Sequence, residues 1–191
     1  MHCGKQLEDE TQEYCADCSK RKSALSQGYS VWLHRGMVPG AVYRFKYNNR
    51  RYCGDIFAEE IVRCFAGKIQ RWEIDEIIPV PLHPSRQRKR GFNQAEILAA
   101  GISRRTGIPV KTDVLFRIRK TDPQKQLGMR DRKRNIRGAF GVSKKWRPCR
   151  NILLIDDIYT TGSTLESAAY LLKKAGAENV FFLTISIGQG I

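Results

Sequence analysis

Between Ile152 and Leu165 the chain reads Ile-Leu-Leu-Ile-Asp-Asp-Ile-Tyr-Thr-Thr-Gly-Ser-Thr-Leu. Four consecutive apolar residues without polar alternation suit a strand covered on both faces, and such strands belong to parallel sheets. Leu165, Ala168, Ala169 and Leu172 then recur at helical spacing, and Gly176 stops that helix. The unit is a buried strand, a polar turn and a helix. In open α/β sheets ligands bind beyond the carboxyl ends of the strands, which is where Asp156 and Asp157 are expected to lie. The turn carries Thr160, Thr161, Ser163 and Thr164 around Gly162. Four hydroxyls and the first N–H groups of a helix make an anion site, reinforced by the helix dipole. Gly162 lets the backbone approach a phosphate closely. Two adjacent carboxylates would repel a phosphate, but they suit a sugar diol, whose hydroxyls donate to them. The segment predicts a sugar-phosphate ligand, held by the acids at the diol and by the turn at the phosphate. An ordinary strand-to-helix turn accounts for one or two such residues. It accounts poorly for two acids and four hydroxyls around one glycine. The Walker A spacing is absent, and Gly188-Gln-Gly190 is too short and too late for a dinucleotide fingerprint.

The rest of the chain has a matching rhythm. Ile77-Ile-Pro-Val80 reads as a short strand and Val180–Ile185 as a final buried one. Asn93-Gln-Ala-Glu96 has the form of a capping box, with Asn93 as N-cap and Glu96 reaching back. The helix it opens should end near Gly107, before Pro109. Ile56, Phe57, Ile61, Val62 and Phe65 are spaced for one face of another helix. Pro81 and Pro84 bracket what reads as an irregular basic loop. Residues 120–137 read as a long mobile loop, a kind that is usually functional in compact domains. Alternating strands and helices predict an α/β fold with a mostly parallel central sheet flanked by helices. At 191 residues, 41% hydrophobic and 28% charged, the chain suits one packed domain with a small appendage. The expected division is a cysteine-bearing segment at 1–22 and the main domain at 23–191. No apolar run approaches the roughly 18 residues of a membrane span. The N-terminus lacks the apolar region of a secretory signal, so a cytoplasmic location is expected.

Charge narrows the partners. There are 34 Lys plus Arg against 19 Asp plus Glu, a net +15. Residues 117–137 hold nine of the basic side chains (Arg117, Arg119, Lys120, Lys125, Arg130, Arg132, Lys133, Arg134 and Arg137). A second cluster holds Arg86, Arg88, Lys89 and Arg90. Concentration of charge in the middle of the chain points to a polyanion, either a pyrophosphate or a nucleic-acid backbone.

The run from Ile152 to Thr164 resembles the phosphoribosyl pyrophosphate motif of type I phosphoribosyltransferases. The resemblance implies that the acids hold the ribose hydroxyls and that Thr160, Thr161, Gly162, Ser163 and Thr164 hold the 5′-phosphate. It also implies a pyrophosphate loop after the first core strand, here Pro81–Asn93 with Arg86, Arg88, Lys89 and Arg90. Mg2+ would bridge pyrophosphate and ribose oxygens, and residues 120–137 would match the mobile hood. Phe45-Lys-Tyr47, Pro79-Val-Pro81, Gly91-Phe-Asn-Gln94, Gln126-Leu127 and the N-terminal cysteines extend the likeness. Together they resemble the ComF family, phosphoribosyltransferase-like proteins linked to DNA uptake in natural competence. That resemblance implies two kinds of role. One is phosphoribosyl pyrophosphate binding, with or without phosphoribosyl transfer to an acceptor. The other is a module contacting single-stranded DNA and a helicase-like partner from the same operon.

Six cysteines divide into two groups. Cys53, Cys64 and Cys149 are scattered. Cys3, Cys15 and Cys18 cluster, and in a reducing compartment the cluster points to metal ligation. A structural zinc normally takes four ligands. The family pattern places another cysteine three residues before Cys3. Either that residue precedes this sequence or His2 substitutes for it.

Overall fold

The structure is a computed structural model and describes residues 23–47, 50–119 and 138–188. The expected cysteine knuckle, with His2, Cys3, Cys15 and Cys18, lies outside the described residues, as does the expected hood at 120–137.

Four strands form one wholly parallel sheet. In chain order they are β1 (Gln27–Leu33), β2 (Glu76–Pro79), β5 (Asn151–Tyr159) and β6 (Asn179–Ile187). Their spatial order is β1-β6-β5-β2. Two short strands, β3 (Leu115–Arg117) and β4 (Phe140–Val142), pair antiparallel to each other. Among the described residues the helices are α1 (Val38–Tyr47), α2 (Cys53–Arg71), α3 (Pro84–Arg90), α4 (Gln94–Thr106) and α5 (Ser163–Lys174). A mostly parallel central sheet flanked by helices is therefore what forms.

The unbroken apolar run has a simple cause. Successive residues of a strand face opposite sides, and here both sides are covered. Ile152 and Leu154 join the cluster that includes Leu165, Ala168 and Leu172 of α5. Leu153 and Ile155 join the cluster built from α1, α2 and α4, with Phe45, Ile61 and Leu98. All four are fully buried. At roughly 1.5–3 kcal/mol for each large apolar side chain removed from water, this strand anchors both halves of the core.

Helix punctuation follows the sequence closely in α4. Asn93 Oδ1 accepts from Ala95 N at 3.1 Å, and Gly107 closes the helix at φ 75°. Glu96 differs in detail: its Oε1 accepts from the Asn93 side-chain amide at 3.2 Å, rather than from the Asn93 backbone. On α2 the buried face is Gly54, Phe57, Ala58, Ile61 and Ile69. Ile56, expected on that face, is 56% exposed, because it sits about 100° around the helix from Phe57.

Two sequence expectations are corrected. The segment after Pro81 is not an irregular loop, since Pro84–Arg90 is a helix. Pro84 occupies its first turn, His83 Nδ1 accepts from Ser85 N at 3.3 Å, and Gly91 ends it at φ 82°. Proline just inside the start and glycine just past the end are the signals that mark it. The second correction concerns Asp156 and Asp157, which lie within β5 rather than beyond it. Strand β6 is as long as β5, so the ladder continues, pairing Asp156 with Thr184 and Ile158 with Ser186. Asp157 donates its backbone N–H to Asp156 Oδ1 at 2.8 Å. Past this point the alternation changes sides: Ile158 packs with the α2–α4 cluster and Tyr159 with the α5 cluster.

Candidate functional site

Because all four strands of the main sheet are parallel, their carboxyl ends share one edge, and a cleft of about 930 Å³ opens there. Strand β5 contributes Asp156, Asp157 and Ile158, and the following turn contributes Thr160 and Thr164. His34 enters from the end of β1, and Val80 and Pro81 from the end of β2. Helix α3 contributes Arg86, Lys89 and Arg90. The start of α4 adds Asn93, Gln94 and Ala95, while Lys46 and Tyr47 come from α1 and Arg117 from β3.

The hydroxyl turn has the geometry of an anion cradle. Gly162 takes φ 71°, a left-handed conformation open to glycine at little cost. A Cβ there would also collide with the Tyr159 hydroxyl. Glycine is thus required by backbone conformation and by the neighbouring ring. A small hollow beside the main cleft is lined by Asp156, Thr160, Gly162, Ser163 and Thr164. Ser163 opens the 12-residue helix α5, so its dipole points into this hollow. Thr161 lines neither the hollow nor the cleft; its hydroxyl is 2.8 Å from that of Ser163 and braces the turn.

The acid pair is electrostatically divided. Lys46 Nζ lies 2.8 Å from Asp157 Oδ2, with both side chains more than four-fifths buried. Burial pushes the Asp156 carboxyl up to about 7, and the adjacent Asp157 charge adds to the rise. The Asp157 N–H, then Lys46 and Arg117, oppose it. Two carboxylates this close in a poorly hydrated floor disfavour simultaneous ionisation.

The basic wall is ordered by the helix. Arg86, Lys89 and Arg90 are spaced i, i+3 and i+4, so they share a face. Arg88 falls on another side of α3, exposed and away from the cleft. Arg90 is held firmly: its Nη1 donates to Gln94 Oε1 at 2.5 Å, its Nη2 to the Tyr47 hydroxyl at 3.3 Å, and its guanidinium sits 5.0 Å over the Tyr47 ring. Burial, aided by Arg86, pushes Arg117 down to about 10, with Asp156 opposing. It lies 5.2 Å over the Phe140 ring.

Of the residues singled out in the sequence, Asp156, Asp157, Thr160, Thr164, Arg86, Lys89 and Arg90 meet in the cleft. Gly162 and Ser163 line the adjoining hollow, while Arg88 and Thr161 stand outside both. Lys46, His34 and Gln94 carry no role in the sequence reading, and Arg117 enters it only as one of the nine basic side chains at 117–137. Lys46 and Gln94 sit inside quoted family segments, but nothing in their local pattern says what they touch. His34 is positioned by a contact across the sheet, with Nδ1 2.9 Å from the buried Ser186 hydroxyl. Among the described residues no group of three or more His, Cys, Asp or Glu side chains could hold a metal. None of the described helices is long and apolar enough to cross a membrane.

Fold and cleft together define an open parallel α/β protein. Its carboxyl-edge site sets paired carboxylates and a hydroxyl turn within the same cleft as an arginine–lysine wall. No protein-family model matches the chain. Competence protein F of Haemophilus influenzae is 33% identical over 184 residues, 94% of this chain and 80% of that protein. Competence protein ComFC of Bacillus subtilis is 30% identical over 179 residues, 90% of this chain and 71% of that protein. The DNA utilization protein YhgH of Escherichia coli K12 is 38% identical over 106 residues, 56% of this chain and 46% of that protein. The chain belongs to the ComF family of competence proteins. Among solved structures, a purine phosphoribosyltransferase from Pyrococcus horikoshii has a TM-score of 0.44 at 19% identity, covering 69% of this chain and 73% of its own. The glutamine phosphoribosylpyrophosphate amidotransferase of Bacillus subtilis also scores 0.44, at 18% identity, covering 82% of this chain and 31% of its own.

Proposed function

We propose that this protein binds phosphoribosyl pyrophosphate in the carboxyl-edge cleft and acts in DNA uptake during natural competence. The observation that carries the ligand reading is the meeting, in one cleft, of Asp156 and Asp157, the hydroxyl turn, and the Arg86–Lys89–Arg90 wall. The acids accept hydrogen bonds from the ribose diol. Thr160, Ser163 and Thr164, with the first N–H groups of α5, hold the 5′-phosphate. Arg86, Lys89 and Arg90 take the pyrophosphate, a task suited to the arginine fork. The relatives' names, as competence and DNA utilization proteins, support the biological role.

Two carboxylates at the diol end suit Mg2+, which keeps several waters and needs few protein ligands beside phosphate oxygens. When bound, Mg2+ would neutralise charge on the pyrophosphate. If an acceptor is present, its nucleophilic atom bonds to ribose C1. The C1–O bond breaks and its electron pair leaves with pyrophosphate. The chain's contribution is electrostatic: the basic wall stabilises the departing charge without forming a covalent bond. A structural zinc on Cys3, Cys15, Cys18 and either His2 or a preceding cysteine belongs to the same proposal. Metal analysis of freshly purified, reduced protein tests it.

The direct test of ligand binding is thermal. Phosphoribosyl pyrophosphate with Mg2+ should raise the melting temperature of the wild type. The Asp156→Asn/Asp157→Asn double variant should show no rise. A full shift in that variant would remove the ligand assignment.

One observation favours a second role for the same protein. Tyr43, Tyr47 and Tyr52 are each more than half exposed; Tyr47 lines the cleft, and the Tyr43 ring lies 4.8 Å from the Tyr47 ring. Arg50 Nη1 donates to the Tyr52 hydroxyl at 3.3 Å, and Arg90 stacks on Tyr47. Exposed aromatic rings interleaved with arginines suit single-stranded DNA, whose bases stack while its phosphates pair. Affinity for an unstructured oligonucleotide should then fall steeply with salt and survive the double aspartate change. Salt-independent binding, or none, counts against this role. A helicase-like partner remains part of the proposal at the level of the family alone.

A further inference from the structure

Gln94 is 1% exposed and lines the cleft at the start of α4. Its neighbour Asn93 is fully occupied. Asn93 Oδ1 accepts from Ala95 N, and Asn93 Nδ2 donates to the Val80 carbonyl and to Glu96 Oε1. Gln94 is half occupied. Its Oε1 accepts from Arg90 Nη1, and Nε2 has no hydrogen-bond partner among the described residues. The assignment of the two amide atoms follows from chemistry, because a guanidinium only donates. The atom facing Arg90 must therefore be the oxygen, and the NH2 group is turned away from it. Arg90 is itself clamped on Tyr47, so the glutamine has little freedom to rotate.

A buried donor without an acceptor costs stability, and native proteins rarely keep one without reason. The surrounding wall says what kind of acceptor is missing. Arg86, Lys89 and Arg90 line the same cleft, and α4, 13 residues long, begins at Gln94 with its positive end toward it. A site surrounded by positive charge calls for an anionic oxygen. We infer that Gln94 Nε2 donates to a pyrophosphate oxygen of the bound ligand, making Gln94 the residue that distinguishes a pyrophosphorylated sugar from a sugar phosphate without that group. Arg90 then has a second task beside its own contact with the pyrophosphate, which is to lock the Gln94 amide through Oε1. A site built to complete a buried hydrogen bond discriminates strongly against a ligand that leaves it unmade. This inference rests on the phosphoribosyl pyrophosphate reading of the cleft.

The experiment is calorimetric titration of the full chain with three probes, alongside melting of the ligand-free protein. The probes are phosphoribosyl pyrophosphate with Mg2+, inorganic pyrophosphate, and ribose 5-phosphate. Gln94→Met, near in volume, should melt at or above the wild-type temperature, since it removes an unpaired donor. It should bind phosphoribosyl pyrophosphate and inorganic pyrophosphate roughly tenfold more weakly. Ribose 5-phosphate affinity should not change. Gln94→Glu, isosteric but unable to donate, should lose more, because its carboxylate repels the phosphoryl oxygens. Unchanged pyrophosphate affinity in both variants overturns the inference while leaving the ligand reading intact. So does a lower melting temperature with equal weakening for all three probes, which marks a structural role. A loss confined to ribose 5-phosphate also overturns it. Failure of the wild type to bind either pyrophosphate-bearing probe removes the cleft reading, and this inference with it.

Discussion

Asp156→Asn should make the ligand-free protein more stable at pH 8 while abolishing its response to phosphoribosyl pyrophosphate. The Asp156 carboxyl is pushed from 3.8 in the open chain up to about 7 in the fold, chiefly by burial and then by Asp157. A group raised in this way contributes stability that is complete below its unfolded value and lost as pH climbs through its folded value. The wild type should therefore lose stability between about pH 4 and pH 8 through this residue. The asparagine variant has no proton to lose at that position and should not. At pH 8 the gain should be on the order of 2 kcal/mol, below the full value of the shift because the pair relaxes and hydrates. For a domain of this size that corresponds to roughly 5 °C in melting temperature. Asparagine presents an NH2 donor where the carboxylate offers an acceptor, so the diol loses a partner and the ligand-induced rise should vanish. Melting curves for both proteins from pH 5 to pH 8, with and without ligand, test the two halves separately. Parallel pH profiles would show that Asp156 is not the titrating group.

The second large effect is expected from Lys46→Met. This ammonium lies 2.8 Å from Asp157, and both groups are largely buried. Removing one partner of such a pair leaves an uncompensated charge, which is strongly destabilising. Here that charge also stands beside Asp156. Partial exposure moderates the loss, which should be about 2 kcal/mol at neutral pH. Adding Asp157→Asn in the Lys46→Met background should recover more than half of it, since the orphaned charge is then gone. The pair contact predicts strong non-additivity in that double-mutant cycle. Strictly additive losses would mean that the ion pair contributes nothing. Lys46 also opposes the rise in the Asp156 carboxyl. Its removal should therefore move the pH-dependent loss of stability to higher pH, linking this experiment to the first.

The two acids show where local pattern stops being informative. Their adjacency and the hydroxyl turn after them are plain in the sequence, and the diol–phosphate reading needs nothing more. Their unequal electrostatics are not visible there. Lys46 reaches Asp157 across 111 positions of chain, and only the stacking of α1 over the sheet brings them together. The basic cluster behaves similarly. Its charge is visible at a glance, but which cations face the cleft depends on Pro84–Arg90 being helical. A loop would have left Arg88 equivalent to its neighbours. The helix turns it outward.

By itself, the sequence determined the buried central strand, the turn that follows it, and the start and stop of α4. Each is set by interactions within a few residues: alternation of faces, a capping side chain, a glycine open to positive φ. The tertiary structure decided which distant side chains share the cleft, because the order β1-β6-β5-β2 brings the ends of strands far apart in sequence to one edge. It also decided that β5 runs on through Asp156 and Asp157, since a strand ends where its partner's hydrogen bonds end, and β6 extends to Ile187.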